Sequence, residues 1–251
     1  MAKLDKPVYF ISDLHLGSIS NEKPHERERR VVRWLDSVKD KAGEIYLMGD
    51  ILDYWYEYRY VVPRGFVRFF GKIAELSDAG VKIHWFIGNH DIWIFDYLPS
   101  ELGIEVVDGE IVRDIAGKRF FLAHGDSVGK RSPMFRFIRA LFRNRFCQFL
   151  FSGIHPRWTV PFAFHWSHES RSNHKKTSPK PQTIEDSLIT FSQEHSSQHP
   201  EIDYYVFGHL HSVKTIPLQS GATLIELGDW IHYNSFGMFD GENFKMDYFK
   251  G

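Results

Sequence analysis

The chain has a single cysteine, Cys147, in 251 residues, which excludes an intrachain disulfide and fits a reducing compartment. No apolar run approaches the ~18 residues that span a bilayer, so any membrane contact is expected at a surface. No internal repeat, low-complexity tract or flexible linker interrupts the chain. Its start runs straight into Pro7-Val8-Tyr9-Phe10-Ile11 without a basic-then-apolar leader pattern, and a cytoplasmic location is therefore expected. Net charge is also nearly absent, at −1, so the whole-chain balance is silent about partners.

The distribution of charge is not silent. Eleven Lys/Arg but only Asp126 and Glu169 as acids fall between Gly125 and Pro181, which leaves twenty basic against thirty acidic residues elsewhere. One basic segment set into an acidic body points to an anionic partner or surface. Within it Phe135, Ile138, Leu141, Phe142, Phe146, Phe149 and Leu150 recur at helical spacing, interleaved with Arg136, Arg139, Arg143 and Arg145, which predicts an amphipathic helix. Such a stripe reads first as core packing, with the arginines as a solvated face. Here the basic excess and the apolar surplus coincide in the one segment outside the core pattern, which suits a ligand with an acyl end and a phosphate end.

Around that segment the chain alternates. Apolar runs at Val8–Ser12, Glu44–Met48 and Val81–Ile87 predict strands, and the spacings over Pro24–Lys41 and Pro63–Ala79 predict helices between them. Alternation of this kind implies crossover units and a largely parallel sheet. Short strands are expected over Ile104–Val107, Glu110–Ile115 and Lys118–Ala123, then a helix capped by Thr183 and running to about His195. Strands are expected again over Asp203–Phe207, Val213–Leu218, Thr223–Leu227, Ser235–Phe239 and Phe244–Phe249. His155–His174 shows little periodicity. The expected organisation is an α/β core over 1–124 and 182–251, with 125–181 inserted as a lid.

Five strand ends carry polar side chains: Asp13-Leu14-His15, Gly49-Asp50, Gly88-Asn89-His90-Asp91, His124-Gly125-Asp126 and Gly208-His209-Leu210-His211. Taken singly each has a bland reading; a lone Asp-x-His is more often a turn, and a lone histidine more often hydrogen-bonded. Five in succession, each after an apolar run, are a ligand set, because strand ends of a crossover sheet share one edge. Carboxylate, imidazole and amide oxygen suit borderline divalent cations. Asp13, His15, Asp50, Asn89, His124, His209 and His211 are too many for one ion and suit two sharing a carboxylate, for which Asp50 is the natural bridge.

These five blocks resemble the signature of calcineurin-like metallophosphoesterases. The resemblance implies an α/β sandwich, two central mixed sheets flanked by helices, with a helical lid inserted. It implies one cation on Asp13, His15, Asp50 and His211, and a second on Asp50, Asn89, His124 and His209. The cations would be Mn²⁺, with Fe²⁺ or Zn²⁺ as the other choices. Catalysis would be in-line attack on phosphorus by a metal-bound hydroxide, His90 stabilising the phosphoryl oxygens and Asp91 orienting His90. Asn89 and His90 would thus also contact substrate.

Asp13-Leu14-His15-Leu16-Gly17, Gly49-Asp50-Ile51-Leu52-Asp53-Tyr54-Trp55 and the long insertion before Gly208 are similar to UDP-2,3-diacylglucosamine pyrophosphatases of lipid A synthesis, although these carry arginine where this chain has His90. That similarity implies a lipid-linked sugar nucleotide substrate cleaved to UMP and 2,3-diacylglucosamine 1-phosphate. It also implies peripheral association with the anionic cytoplasmic face of the inner membrane, and sugar-phosphate contacts from Arg171, Asn173 and Lys176. A phosphoesterase acting on another nucleotide or phosphodiester is the alternative, and a non-catalytic scaffold the third reading. Nucleic acid is not expected, because the basic residues form no long stripe with stacking aromatics, and no obligate protein partner is inferred.

Overall fold

A computed structural model describes residues 4–18, 22–23, 25–129, 131–165 and 182–251, with the backbone alone for 182–186. In chain order the elements are β1 (Val8–Ile11), α1 (Glu26–Val38), β2 (Glu44–Leu47), α2 (Val67–Asp78), β3 (Lys82–Phe86), α3 (Tyr97–Leu102) and β4 (Glu105–Val107). A hairpin follows, β5 (Ile111–Ile115) and β6 (Lys118–Ala123), then the helices α4 (Pro133–Arg143), α5 (Arg145–Ser152), α6 over 156–165 and α7 (Gln182–Gln198). The chain closes with β7 (Tyr204–Phe207), β8 (Val213–Pro217), β9 (Thr223–Leu227), β10 (Ser235–Phe239) and β11 (Phe244–Tyr248).

Two mixed sheets result. One has the order β11-β10-β1-β2-β3-β4 and the other β5-β6-β7-β9-β8. The parallel pairs β1-β2, β2-β3 and β3-β4 join four of the six strands of the first sheet; β6-β7 and β7-β9 form the centre of the second. The sheets pack face to face with helices outside, so the central strands are buried on both sides and read as unbroken apolar runs. Period two then sorts the side chains: Ile45 and Leu47 pack with Val31, Trp34, Leu35 and Phe69 of α1 and α2, whereas Tyr46 and Met48 face Phe120, Leu122 and Val206 of the other sheet. On the far side Phe121, Tyr205 and Phe207 pack against Leu188 of α7.

Several local expectations are corrected. α2 begins at Val67 rather than Pro63, because Phe66 takes a left-handed conformation (φ 61°) and the Glu28 carboxylate of α1 accepts the amides of Arg68 and Phe69. The single amphipathic helix expected over 135–150 is two. Asn144 is extended, and its side-chain oxygen caps α5 by accepting the amides of Phe146 and Cys147. α3 and α6 are not foreshadowed by periodicity. The Glu57 carboxylate organises the first turn of α3 through the amides of Phe95, Asp96 and Tyr97. α7 starts one residue before Thr183 and runs past His195. No helix among the described residues is long and apolar enough to cross a membrane.

The helices after β6 rest on a platform of aromatic residues that follows Asp50. Trp93 stacks near Phe142 and Phe151, Tyr56 donates to the Gln148 carbonyl (2.7 Å), and the Tyr58 hydroxyl meets Thr159 (2.8 Å). α4 packs Phe142 on this platform but turns other apolar residues outward. Met134 and Phe137 are 66% and 64% exposed, while Arg139 and Arg143 reach inward to Asp126 and Asp108.

At the opposite end of the sandwich Glu44 is an internal tie. Its carboxylate accepts from His84 (3.1 Å) and Tyr46 (3.0 Å). The His84 contact, against partial burial, holds Glu44 down to about 2. A depressed carboxyl contributes stability that is complete above the unfolded value of 4.5 and lost as pH falls towards 2. Glu44→Gln is expected to lower unfolding free energy at pH 7 by about 2 kcal/mol and to flatten the acid limb of stability between those values in urea titrations. An unaltered acid limb would show that Glu44 titrates alike in both states.

Candidate metal centre

All five polar strand ends meet above one edge of the sandwich. Asp13 and His15 follow β1, Asp50 follows β2, and Asn89 and His90 follow β3. From the second sheet His124 follows β6, and His209 and His211 follow β7. The loops are laced by main-chain bonds: Asp13 N–H donates to Gly49 O, His15 N–H to Asp50 O, and Gly208 N–H to His124 O. Close approach explains two of the glycines. A Cβ at Gly88 would fall on the Asp50 carboxylate and amide, and one at Gly208 on Ser12 and Asp13.

Five of the seven candidate ligands have positive φ: Asp13 54°, His15 43°, Asp50 52°, His209 68° and His211 52°. Left-handed backbone at a residue other than glycine costs roughly 1–2 kcal/mol, and it persists only where surrounding structure enforces it. The lacing enforces it here, and the side chains converge. Asp13, His15 and His211 form one compact group of donor atoms, and Asp50, His124 and His209 another. Asp50 joins them. Its Oδ2 lies 3.7 Å from His15 Nε2 and 3.4 Å from His124 Nε2, while its Oδ1 accepts the His90 amide (2.9 Å). Asn89 Oδ1 is 3.3 Å from His124 Nε2.

The donor chemistry fits cations. His15 Nδ1 faces Asp53 (3.2 Å), His124 Nδ1 faces the Met48 carbonyl (2.8 Å) and His211 Nδ1 faces Asp229 (2.9 Å). Each of those partners only accepts, so each Nδ1 carries a hydrogen and Nε2 is the nitrogen turned to the centre, the one free to ligate once its proton is displaced. His15 Nε2 and His211 Nε2 face one another at 3.3 Å, a contact that a shared proton or a cation satisfies. Asp13 Oδ1, buried, has no hydrogen-bond donor among the described residues. Burial would raise Asp13, but His211 and His15 outweigh it and hold the carboxyl low. Burial and the charge of His124 push His209 down to about 3, which keeps that imidazole neutral and able to ligate.

Asp91 does not touch His90 through its carboxylate. Burial and the charge of Asp50 push it up to about 6. Its oxygens accept the amides of Gly88 (2.8 Å), Ile51 (3.0 Å) and Leu52 (3.4 Å), so it clamps the Asp50 loop to the Asn89 loop. The carboxylate beside His90 is Asp53, 3.7 Å from His90 Nδ1. Asp53 also holds His15, which makes it a functional residue that strand-end reading passes over. Its signal was its place three residues after Asp50. Asp229 is a second such residue, and its signal was a glycine-aspartate pair after an apolar strand, the pattern of Gly49-Asp50. Arg171, Asn173 and Lys176 lie outside the described residues.

Comparison with known proteins agrees with this geometry. A family model for calcineurin-like phosphoesterases matches residues 6–213. The chain belongs to that family. Within the calcineurin-like phosphoesterases it is 47% identical over 257 residues to a UDP-2,3-diacylglucosamine hydrolase of Porphyromonas gingivalis, covering 96% of each chain. It is 29% identical over 245 residues to the protein of that name from Neisseria meningitidis serogroup A, covering 94% of this chain and 95% of the relative. Membership of a metal-dependent phosphoesterase family and the two donor groups together identify the cofactor class as divalent metal ions.

Asp91→Ala is expected to weaken divalent-metal binding at least tenfold with every ligand in place, as read by calorimetric titration with Mn²⁺, and Asp91→Asn to fall between. Equal affinity in the alanine variant and the parent would remove the clamp from the account.

Proposed function

We propose that this chain hydrolyses the diphosphate of UDP-2,3-diacylglucosamine, giving UMP and 2,3-diacylglucosamine 1-phosphate. The observation that carries the reading is full-length similarity, at 47% identity, to a relative bearing that hydrolase name, joined to a buried cluster of carboxylates and imidazoles of the required kind. Asp13, His15, Asp50 and His211 would hold one cation, and Asp50, Asn89, His124 and His209 the other. Mn²⁺ suits this mixed oxygen and imidazole set. Two such cations would supply Lewis-acid charge for the phosphoryl oxygens and lower the pKa of water.

The chain's own residues do the rest. His90 Nε2 points into the cleft 3.9 Å from Asp50 Oδ2, with its side chain partly open, and donates a hydrogen bond to a phosphoryl oxygen as charge builds there. Asp53 holds the His90 ring at its other nitrogen. Asn89 lends its amide to the same oxygens. Residues 125–181 form the lid over the substrate, and Arg171, Asn173 and Lys176 are assigned to the sugar phosphate on sequence alone.

The lid also supports a membrane role. Phe146 (67%), Phe149 (72%) and Trp158 (70%) are exposed, as are Met134 and Phe137, and Arg145 and Arg157, next to Phe146 and Trp158 in the chain, are exposed too. Exposed aromatic and basic side chains suit the interface of an anionic bilayer. They support a peripheral position on the cytoplasmic face of a membrane that holds the acylated substrate.

Mn²⁺-loaded protein is expected to hydrolyse UDP-2,3-diacylglucosamine and to leave the deacylated sugar nucleotide almost untouched. Equal rates on both would sink the lipid assignment and favour a phosphoesterase of broader nucleotide range. His90→Ala is expected to lower kcat by about 10²-fold with both metals retained by elemental analysis, whereas Asn89→Ala weakens one metal site. Loss of both metals from His90→Ala would refute the division of roles.

A further inference from the structure

The inward side of α4 covers a cavity of about 490 Å³ lined by Ser127, Arg131, Phe135, Arg136, Arg139 and Arg143, with no carboxylate in its lining. Two of the four guanidinium groups are compensated at the walls, Arg139 by Asp126 at 3.2 Å and Arg143 by Asp108. The other two form no ion pair among the described residues. Arg131 gives a hydrogen bond to the neutral Gly125 carbonyl. Arg136 is exposed and makes no ion pair among the described residues. Arg131 Nε and Arg143 Nε are buried without an acceptor there. A buried N–H of a charged group left unmade is expensive, so the arrangement is complete only when an anion enters.

The cavity adjoins the metal centre. Ser127 is three residues beyond His124, and Gly125, which receives Arg131, packs against the His209 side chain. Arg131 also lies over the Phe135 ring, 5.8 Å from its centroid, so one wall is a flat aromatic face next to paired donors. Guanidinium forks match phosphate oxygens two at a time, and an aromatic face accepts a planar base. A volume of this size is in the range of small-ligand sites.

We infer that this cavity is the nucleotide subsite, in which Arg131 and Arg136 bind the phosphate of a uridine monophosphate unit and Phe135 carries the base. The inference rests on the proposed diphosphate hydrolysis and assigns the nucleotide half of the substrate a place opposite the outward apolar side of α4. The acylated half then lies toward the exposed aromatic residues, and the scissile bond over the metals between them.

The test is calorimetric titration of UMP into Mn²⁺-loaded full-length chain, with Michaelis constants for UDP-2,3-diacylglucosamine measured in parallel. Arg136→Glu is expected to raise both the Kd for UMP and KM about tenfold or more, with a far smaller change in kcat. Circular dichroism and metal content should stay at parental values, and Arg136→Lys should recover part of the loss. Phe135→Ala is expected to weaken UMP but not inorganic phosphate. If parent and Arg136→Glu bind UMP alike and share one KM while hydrolysis proceeds, the subsite is wrong and the hydrolase reading stands. If UMP binding depends on Arg136 but the diacyl substrate is not cleaved, the subsite stands and the substrate reading fails. If Arg136→Glu loses only its binding to phosphatidylglycerol vesicles, the arginines serve lipid headgroups and the nucleotide assignment is overturned.

Discussion

One carboxylate, that of Asp50, ties the two halves of this molecule at the point where chemistry is expected. It sits at the end of the central strand β2, with one oxygen holding the His90 amide and the other between the imidazoles of His15 and His124. Those imidazoles come from different sheets. The register of the sandwich, the aromatic packing between its layers and the lacing of its loops all act to fix this oxygen. A slip of either sheet by one residue would turn every side chain to the opposite face and part the two donor groups.

Around that point a ring of buried acceptors sets the direction of each ligand. Asp53, Asp229 and the Met48 carbonyl take the outer nitrogens of His15, His211 and His124, and Asp91 takes the amides of both neighbouring loops. These groups do not reach the centre, yet they decide which ring nitrogen faces it. In the bare form the carboxylates of Asp13 and Asp50 face the imidazoles of His15 and His124, which they hold toward the protonated state. A dication would take the place of those protons.

Much of this was legible in the chain. Every predicted strand is present, because buried central strands leave an apolar run and ligand loops interrupt it abruptly. The seven candidate ligands could be placed together because topology, not local contact, gathers strand ends. The positioning residues were harder. Asp53 and Asp229 look like ordinary loop aspartates until the third dimension sets a histidine beside them. Asp91, adjacent to His90 in sequence, faces backbone amides instead. The helix break at Asn144 carried the mark of a capping residue but was hidden by a stripe that continues across it. Periodicity also showed that α4 has two faces without telling which is turned inward. The carboxylates of Asp126 and Asp108 draw Arg139 and Arg143 in, while Met134 and Phe137 stay outside.

The left-handed backbone at Asp13, His15, Asp50, His209 and His211 also restricts how this protein can change. At most such positions glycine would relieve the strain, and substitutions of that kind are an ordinary route to greater thermal resistance. Here glycine would remove the very side chain for which the strain is tolerated. Adaptation to heat must therefore come from elsewhere in the sandwich, and the most strained part of the backbone is also the part least free to drift.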